Sequence, residues 1–303
     1  MNRNRSPLVI TAGILVALAA ATLYFSNFYI DWLWFQSVDF TSVWTTVLAT
    51  KIQLFLVIGL ITSFVISLNI FIAYRTRPLY VPESIEVNAL ERLRAQIEPI
   101  RLLVFVGVCL VLTYFAGSSG MAFWREWLLF RNSTDFGVKD PQFNLDISFF
   151  AFKLPIFQAL IGWGISTLIL AALASAFVHY MYGGIRTAVQ TDRTTVAARV
   201  QISILLGLIV LLKAVAYWFD RFALALKEST LITGLKFADV NALLPAKAIL
   251  SAIAVVCSLL FFANIVRRSW LLPAAGTALL VVSSVLIAGL YPAAIQQFQV
   301  KPS

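Results

Sequence analysis

The stretch from Val200 to Phe219, VQISILLGLIVLLKAVAYWF, is almost wholly apolar over twenty residues and carries a single charged residue, a lysine. At about 1.5 Å of rise per residue an α-helix of this length covers roughly 30 Å, the hydrocarbon thickness of a bilayer, with its backbone groups paired internally. Six further stretches share this character. The spacing predicts seven spans near 8–30, 52–74, 102–117, 154–182, 200–219, 248–266 and 270–292. The fold class expected is therefore all-α, a polytopic membrane helix bundle forming one domain over 1–303. Composition agrees, with 60% hydrophobic and 12% charged residues, against roughly 25% charged in an average soluble domain.

The interruptions and flanks carry the rest. The first span begins after Arg3 and Arg5 like a signal peptide, but its apolar character runs on into FYIDWLWF, so it reads as an uncleaved anchor ending in interfacial aromatics. Gly59, Ser63 and Ser67 recur every fourth residue on the second span and offer a smooth stripe for a neighbouring helix. Ser84 is a plausible N-cap for a short amphipathic helix reaching Glu98, placed flat on the membrane surface. The glycine and serine cluster 117–120 reads as the end of the third span, and Gly183 with Gly184 as the end of the fourth. Pro273 is tolerated in the first turn of the seventh. No internal repeat is convincing, and seven spans do not divide into two inverted halves.

Charge density orients the chain. The segments 1–7, 75–101, 183–199 and 265–269 hold 12 basic residues in 56 positions, and the remaining loops hold 10 in 96. The positive-inside rule makes the first set cytoplasmic, with the N-terminus inside and the C-terminus outside. The localisation expected is a bacterial plasma membrane. The net charge of +9 is scattered through short loops, which argues against a nucleic-acid partner. Membrane lipids and partner membrane or envelope proteins are the partners expected.

Lys213 is the basic residue deep in a span, where a charge costs about 2.5–3.5 kcal/mol on insertion scales. Tyr217 and Asp220 follow at one and two helical turns, so the three form a candidate polar stripe. On one reading Lys213 pairs with an acid and lines a route for a proton, an ion or an anionic lipid headgroup. On the other it snorkels to the nearby outer end. In the loop DFGVKDPQFNLDISFFAFKLP, Asp135, Asp140 and Asp146 stand among aromatics, with Trp124 and Trp127 just upstream. Together they are a candidate interaction surface. The three acids lack the alternation of a calcium loop and read instead as turn caps. The DFG tripeptide has no accompanying glycine-rich loop or HRD and is not a kinase motif. His179, at a helix end, reads as an interface residue, and Cys109 and Cys257 as small apolar fillers. The acids lie in loops or at span ends, which weighs against a proton-driven transporter. No catalytic set, metal site or cofactor is expected, and the chain is read as a non-enzyme.

The run DFGVKDPQFNLDISFFAFKLP, with ADVNALLPAKAIL at 238–250 and FYIDWLWF, resembles uncharacterised protein family 0182 of large actinobacterial and cyanobacterial membrane proteins. The resemblance covers essentially the whole chain. It implies seven N-terminal spans followed by a large extracytoplasmic region, with QVKPS standing where that region would begin. It implies an outside C-terminus and supplies no activity and no site residues. The expectation that results is a membrane anchor for an envelope-facing domain, with a transporter or lipid-handling channel at Lys213 as the alternative.

Overall fold

The computed structural model describes residues 7–78, 91, 94–186, 194–228, 234–267 and 271–300. The surface helix expected from Ser84 falls almost entirely outside them. Seven helices are long and apolar enough to cross a bilayer: α1 (Thr11–Ser37), α2 (Thr41–Arg75), α3 (Arg94–Arg131), α4 (Phe149–Met181), α5 (Val196–Leu226), α6 (Asp239–Arg267) and α7 (Leu271–Phe298). No strand occurs among the described residues, and the chain is an all-α membrane-type helix protein.

The chain divides into two units, Met1–Gln53 and Leu54–Ser303. In the first, Asp39 at φ +59° turns α1 into the start of α2, and Phe28 meets Trp44 edge to face at 4.9 Å. The larger unit is built on α5, which packs against α4 on one side and α6 on the other, with α7 against α6. Ile66, Ala171 and Leu205 bury where α2, α4 and α5 meet. Ala214, Tyr217, Leu250 and Ala254 bury between α5 and α6, covered by Leu280 and Ile287 of α7.

The seams follow the small residues. A side chain on Gly59 would lie 2.6 Å from the Thr113 carbonyl. One and two turns on, the Ser63 hydroxyl donates to the Cys109 carbonyl at 3.0 Å and the Ser67 hydroxyl lies 3.0 Å from the Cys109 sulfur. The expected stripe is thus the α2–α3 contact, and Cys109 stays a free thiol inside it. The 117–120 cluster does not end α3. Gly117 and Gly120 leave room for Phe55 and Ile58 of α2, and the helix continues through a tight turn at Met121–Phe123 to Arg131. These glycines serve close approach rather than chain breaking. Gly183, at φ +74°, does stop α4, as a left-handed cap position requires.

Three helices contain a widened turn at the same place relative to a proline. The amides of Leu154, Leu244 and Tyr291 each donate five residues back, to the carbonyls of Phe149, Asp239 and Leu286. Pro155, Pro245 and Pro292 follow immediately. A proline in a regular helix collides with the carbonyl four residues earlier and offers it no N–H. One π turn moves that carbonyl aside, and the helix continues. This is why α6 begins at Asp239 rather than near 248, and why α7 runs past Pro292.

Candidate functional site

The polar stripe of α5 is present but paired differently from its sequence spacing. Lys213 places its ammonium 4.8 Å from the centre of the Tyr217 ring, one turn on. Asp220 turns instead to α6, where Lys247 Nζ donates to Asp220 Oδ2 at 2.8 Å. The Lys247 ammonium also lies 5.2 Å from the Tyr217 ring centre. Tyr217 is therefore a buried ring serving two cations, whose quadrupole stabilises both. Lys213 and Asp220 are not an ion pair. Lys247, counted by sequence as the last residue of a loop, lies inside α6 because the π turn at Asp239–Leu243 starts that helix early. Further into both helices, Ser251 donates to the Ala214 carbonyl at 2.8 Å.

A second acid is more deeply placed. Asp239 is 2% exposed and accepts from Lys227 Nζ at 3.1 Å and from the Lys236 amide at 3.0 Å. It ties the segment after α5 to the first turn of α6. It lies at a helix end, as expected of the acids, yet its burial was not legible from that position.

Beside this cluster, Phe222 at the end of α5 meets Phe143, Phe149 and Phe219 at ring-centre distances of 5.0, 5.4 and 6.2 Å. Phe157 links Phe219 to Phe130. The loop 135–148 is thereby bolted to the bundle by aromatic rings. Two of its acids cap turns: Asp140 Oδ1 accepts from the amides of Gln142 and Phe143 at 3.0 and 2.7 Å. Asp146 accepts from the amides of Phe136, Gly137 and Ser148. Asp135 accepts from the Ser148 hydroxyl at 3.2 Å. Among the described residues no three acids, histidines or cysteines gather as metal ligands do. The Trp127 and Phe130 rings lie 6.2 Å apart, tilted by 38°, and Arg125 lies 5.9 Å from the Trp124 ring centre.

Hydrogen bonds from Ser148, hydroxyl and then amide, and from the amides of Phe136 and Gly137 hold the Asp146 carboxyl down to about 2. The Ser148 hydroxyl has one proton and serves either Asp146 or Asp135. A depressed carboxylate contributes its anchoring fully above its ordinary value near 3.8 and loses it as pH falls toward about 2. Asp146→Asn is expected to loosen the loop at neutral pH as strong acid does in the unmodified chain. Limited proteolysis should cut within 135–148 several-fold faster, and an unchanged rate would remove Asp146 from the loop's support.

The opposite end of the bundle holds a network that sequence reading missed. His179 was expected at the interface but is 1% exposed, because the chain folds back over it after Gly183 and the amides of Gly184 and Ile185 donate to its carbonyl. His179 Nε2 lies 2.9 Å from Gln201 Oε1. Gln201 Nε2 in turn reaches the Asn69 carbonyl at 2.8 Å and Ser175 Oγ at 3.2 Å. Helices α2, α4 and α5 are joined through this one amide. The signal available in the sequence was Gln201 itself, a polar residue one position into the apolar stretch 200–219.

The family model described as "Uncharacterised protein family (UPF0182)" matches residues 8–303. The chain is 46% identical to a UPF0182 protein of Streptomyces coelicolor over 307 aligned residues, covering 100% of this chain and 31% of that one. It is 46% identical to a UPF0182 protein of Nocardioides, covering 100% and 30% respectively. A UPF0182 protein of Frankia alni is 47% identical over 90% of the chain and 27% of its own length. The chain thus spans less than a third of the relatives it matches. No solved structure matches it.

Proposed function

Because the chain belongs to the uncharacterised protein family UPF0182, whose name carries no activity, we propose its role from the geometry: a multi-pass module of a bacterial plasma membrane that anchors and positions an envelope-facing region. The observation that carries this reading is the closure of the polar stripe. Asp220 is held by Lys247 on the adjoining helix, Tyr217 fills the space between the two lysines, and Ser251 joins the same two helices further in. Opposite charges paired across neighbouring helices in this way bind the helices together. The positive-inside distribution supports an N-terminus in the cytoplasm and a C-terminus outside it. Partner proteins of the membrane or envelope, and the lipids around the bundle, are the contacts such a module makes.

A second reading, a transporter or lipid-handling channel, is favoured by one feature. Among the described residues no carboxylate forms an ion pair with the Lys213 ammonium. The two readings separate in proteoliposomes of the full-length protein, with proton entry followed by a pH-sensitive dye. The anchor predicts the leak of protein-free vesicles, and Lys213→Leu is expected to fold as well as the parent or better by about 1 kcal/mol, since a costly charge is removed. Flux above background that disappears in Lys213→Leu would overturn the anchor. A phosphatase that needs disulfides to fold, fused after residue 303, should be active, and an inactive fusion with intact membrane insertion would overturn the orientation.

A further inference from the structure

At the end of the bundle away from the Phe222 cluster, where α2 and α4 finish and α3 begins, three arginines converge on two tyrosines. The Arg77 guanidinium lies 4.2 Å from the Tyr74 ring centre and 5.3 Å from that of Tyr182. Arg94 lies 5.4 Å from the Tyr182 ring centre. The two tyrosines meet edge to face at 5.2 Å, and the two guanidiniums lie against this perpendicular pair. Arg101 donates to the Tyr74 hydroxyl at 3.2 Å and to Glu98 Oε1 at 2.7 Å. Its charge is answered.

Arg77 and Arg94 are not answered in the same way. Neither has a carboxylate within ion-pair distance among the described residues. Arg94 uses Nε on the Met181 carbonyl, and its Nη2 is enclosed without an acceptor. A guanidinium that is desolvated and left short of an acceptor is costly. Arg77 is exposed, and the fork of N–H donors on a guanidinium matches the oxygens of a phosphate. The apolar helix ends around them, including exposed Ile72 of α2 and Leu102 and Leu103 of α3, provide the surface along which acyl chains lie.

We propose that Arg77, Arg94, Tyr74 and Tyr182 form a binding site for the phosphate headgroup of an anionic membrane lipid, with Arg101 steering Tyr74 and Glu98 setting the net charge. The lipid supplies acceptors to Arg77 and Arg94, which have no carboxylate partner among the described residues, and its tails lie against α2 and α3. The site does not depend on which face of the membrane this end occupies, since either leaflet presents phosphodiesters. It is also independent of whether the module anchors or transports.

The test uses the full-length protein in a mild neutral detergent, titrated with phosphatidylglycerol, with phosphatidylcholine or with inorganic phosphate. Bound lipid is read by native mass spectrometry and by the shift in thermal unfolding. Phosphatidylglycerol is expected to bind and stabilise, phosphatidylcholine to bind roughly tenfold more weakly, and inorganic phosphate to give no saturable effect at matched concentration. The double variant Arg77→Gln/Arg94→Gln should lose roughly tenfold in phosphatidylglycerol affinity. Lys139→Gln, exposed on the distant loop, should lose none. Equal binding by the double variant, or equal binding of the two lipids, overturns the site. Saturable binding of inorganic phosphate with the affinity of the lipid would identify a free-phosphate site and overturn the lipid assignment. If the double variant does not fold, the parent protein decides. Phosphatidylglycerol binding must weaken steeply between low and high salt, and salt-independent binding refutes the proposal.

Discussion

Gln201→Leu is expected to destabilise the bundle by about 3 kcal/mol. The substitution leaves His179 Nε2, which faces Gln201 Oε1, without its partner, and takes the donor from the Asn69 carbonyl and Ser175 Oγ. All of this happens where His179 and Ser175 are 1% and 0% exposed. Each buried polar group left unsatisfied costs roughly 1–3 kcal/mol, and little water is available to replace the lost amide. The unfolding midpoint of the detergent-solubilised protein should fall by several degrees. Converting both partners, Gln201→Leu with His179→Leu, should cost less than the sum of the two single changes, because the orphaned ring nitrogen is gone as well. A single variant that melts with the parent would show that the network is incidental to the joining of α2, α4 and α5.

Gly59→Val is expected to cost roughly 2–3 kcal/mol for a different reason. Its Cβ would stand 2.6 Å from the Thr113 carbonyl and 3.3 Å from the Gly117 Cα. Both obstacles are backbone, which cannot rotate away as a long side chain does. Helices α2 and α3 must separate, and the Ser63 and Ser67 contacts to Cys109 separate with them. Gly107 on α3 is the control, because a side chain there meets nothing within 4 Å. Gly107→Ala should be neutral or stabilise by up to about 1 kcal/mol. Unfolding midpoints of the two variants, measured side by side, must move apart. If Gly59→Val unfolds where Gly107→Ala does, the α2–α3 seam does not depend on close approach.

These two sites show what was legible from residues alone and what was not. The Gly59, Ser63 and Ser67 stripe was legible because a small-residue repeat of four says the same thing whichever helix comes to meet it. The seven spans were legible because apolar length is a local property. The partner of Asp220 was hidden, since Lys247 stands twenty-seven residues away in a segment that composition assigns to a loop. His179 and Gln201 were hidden for the same reason. Each looks like an ordinary polar residue near a helix end until the third helix arrives with Asn69. Asp140 and Asp146 were read correctly as turn caps, because an aspartate followed at two or three residues by free amides has a local use for its oxygens, whereas Asp135 accepts from the Ser148 hydroxyl thirteen residues on. Helix ends misled most often. A glycine can equally be a terminus or a place of contact, and a proline does not stop a helix that has widened one turn to receive it.

That widening has a bearing on how such chains tolerate change. A π turn accommodates one residue beyond the regular count, and each residue of an α-helix advances the side chains by about 100°. Residues before Pro155, Pro245 and Pro292 therefore point in directions that a uniform wheel drawn through the whole helix misassigns by one position. Loss of one residue upstream of any of these prolines is thus not a simple shortening. It would drive the ring onto the carbonyl it now avoids and swing everything ahead of it, Asp239 included, onto another flank.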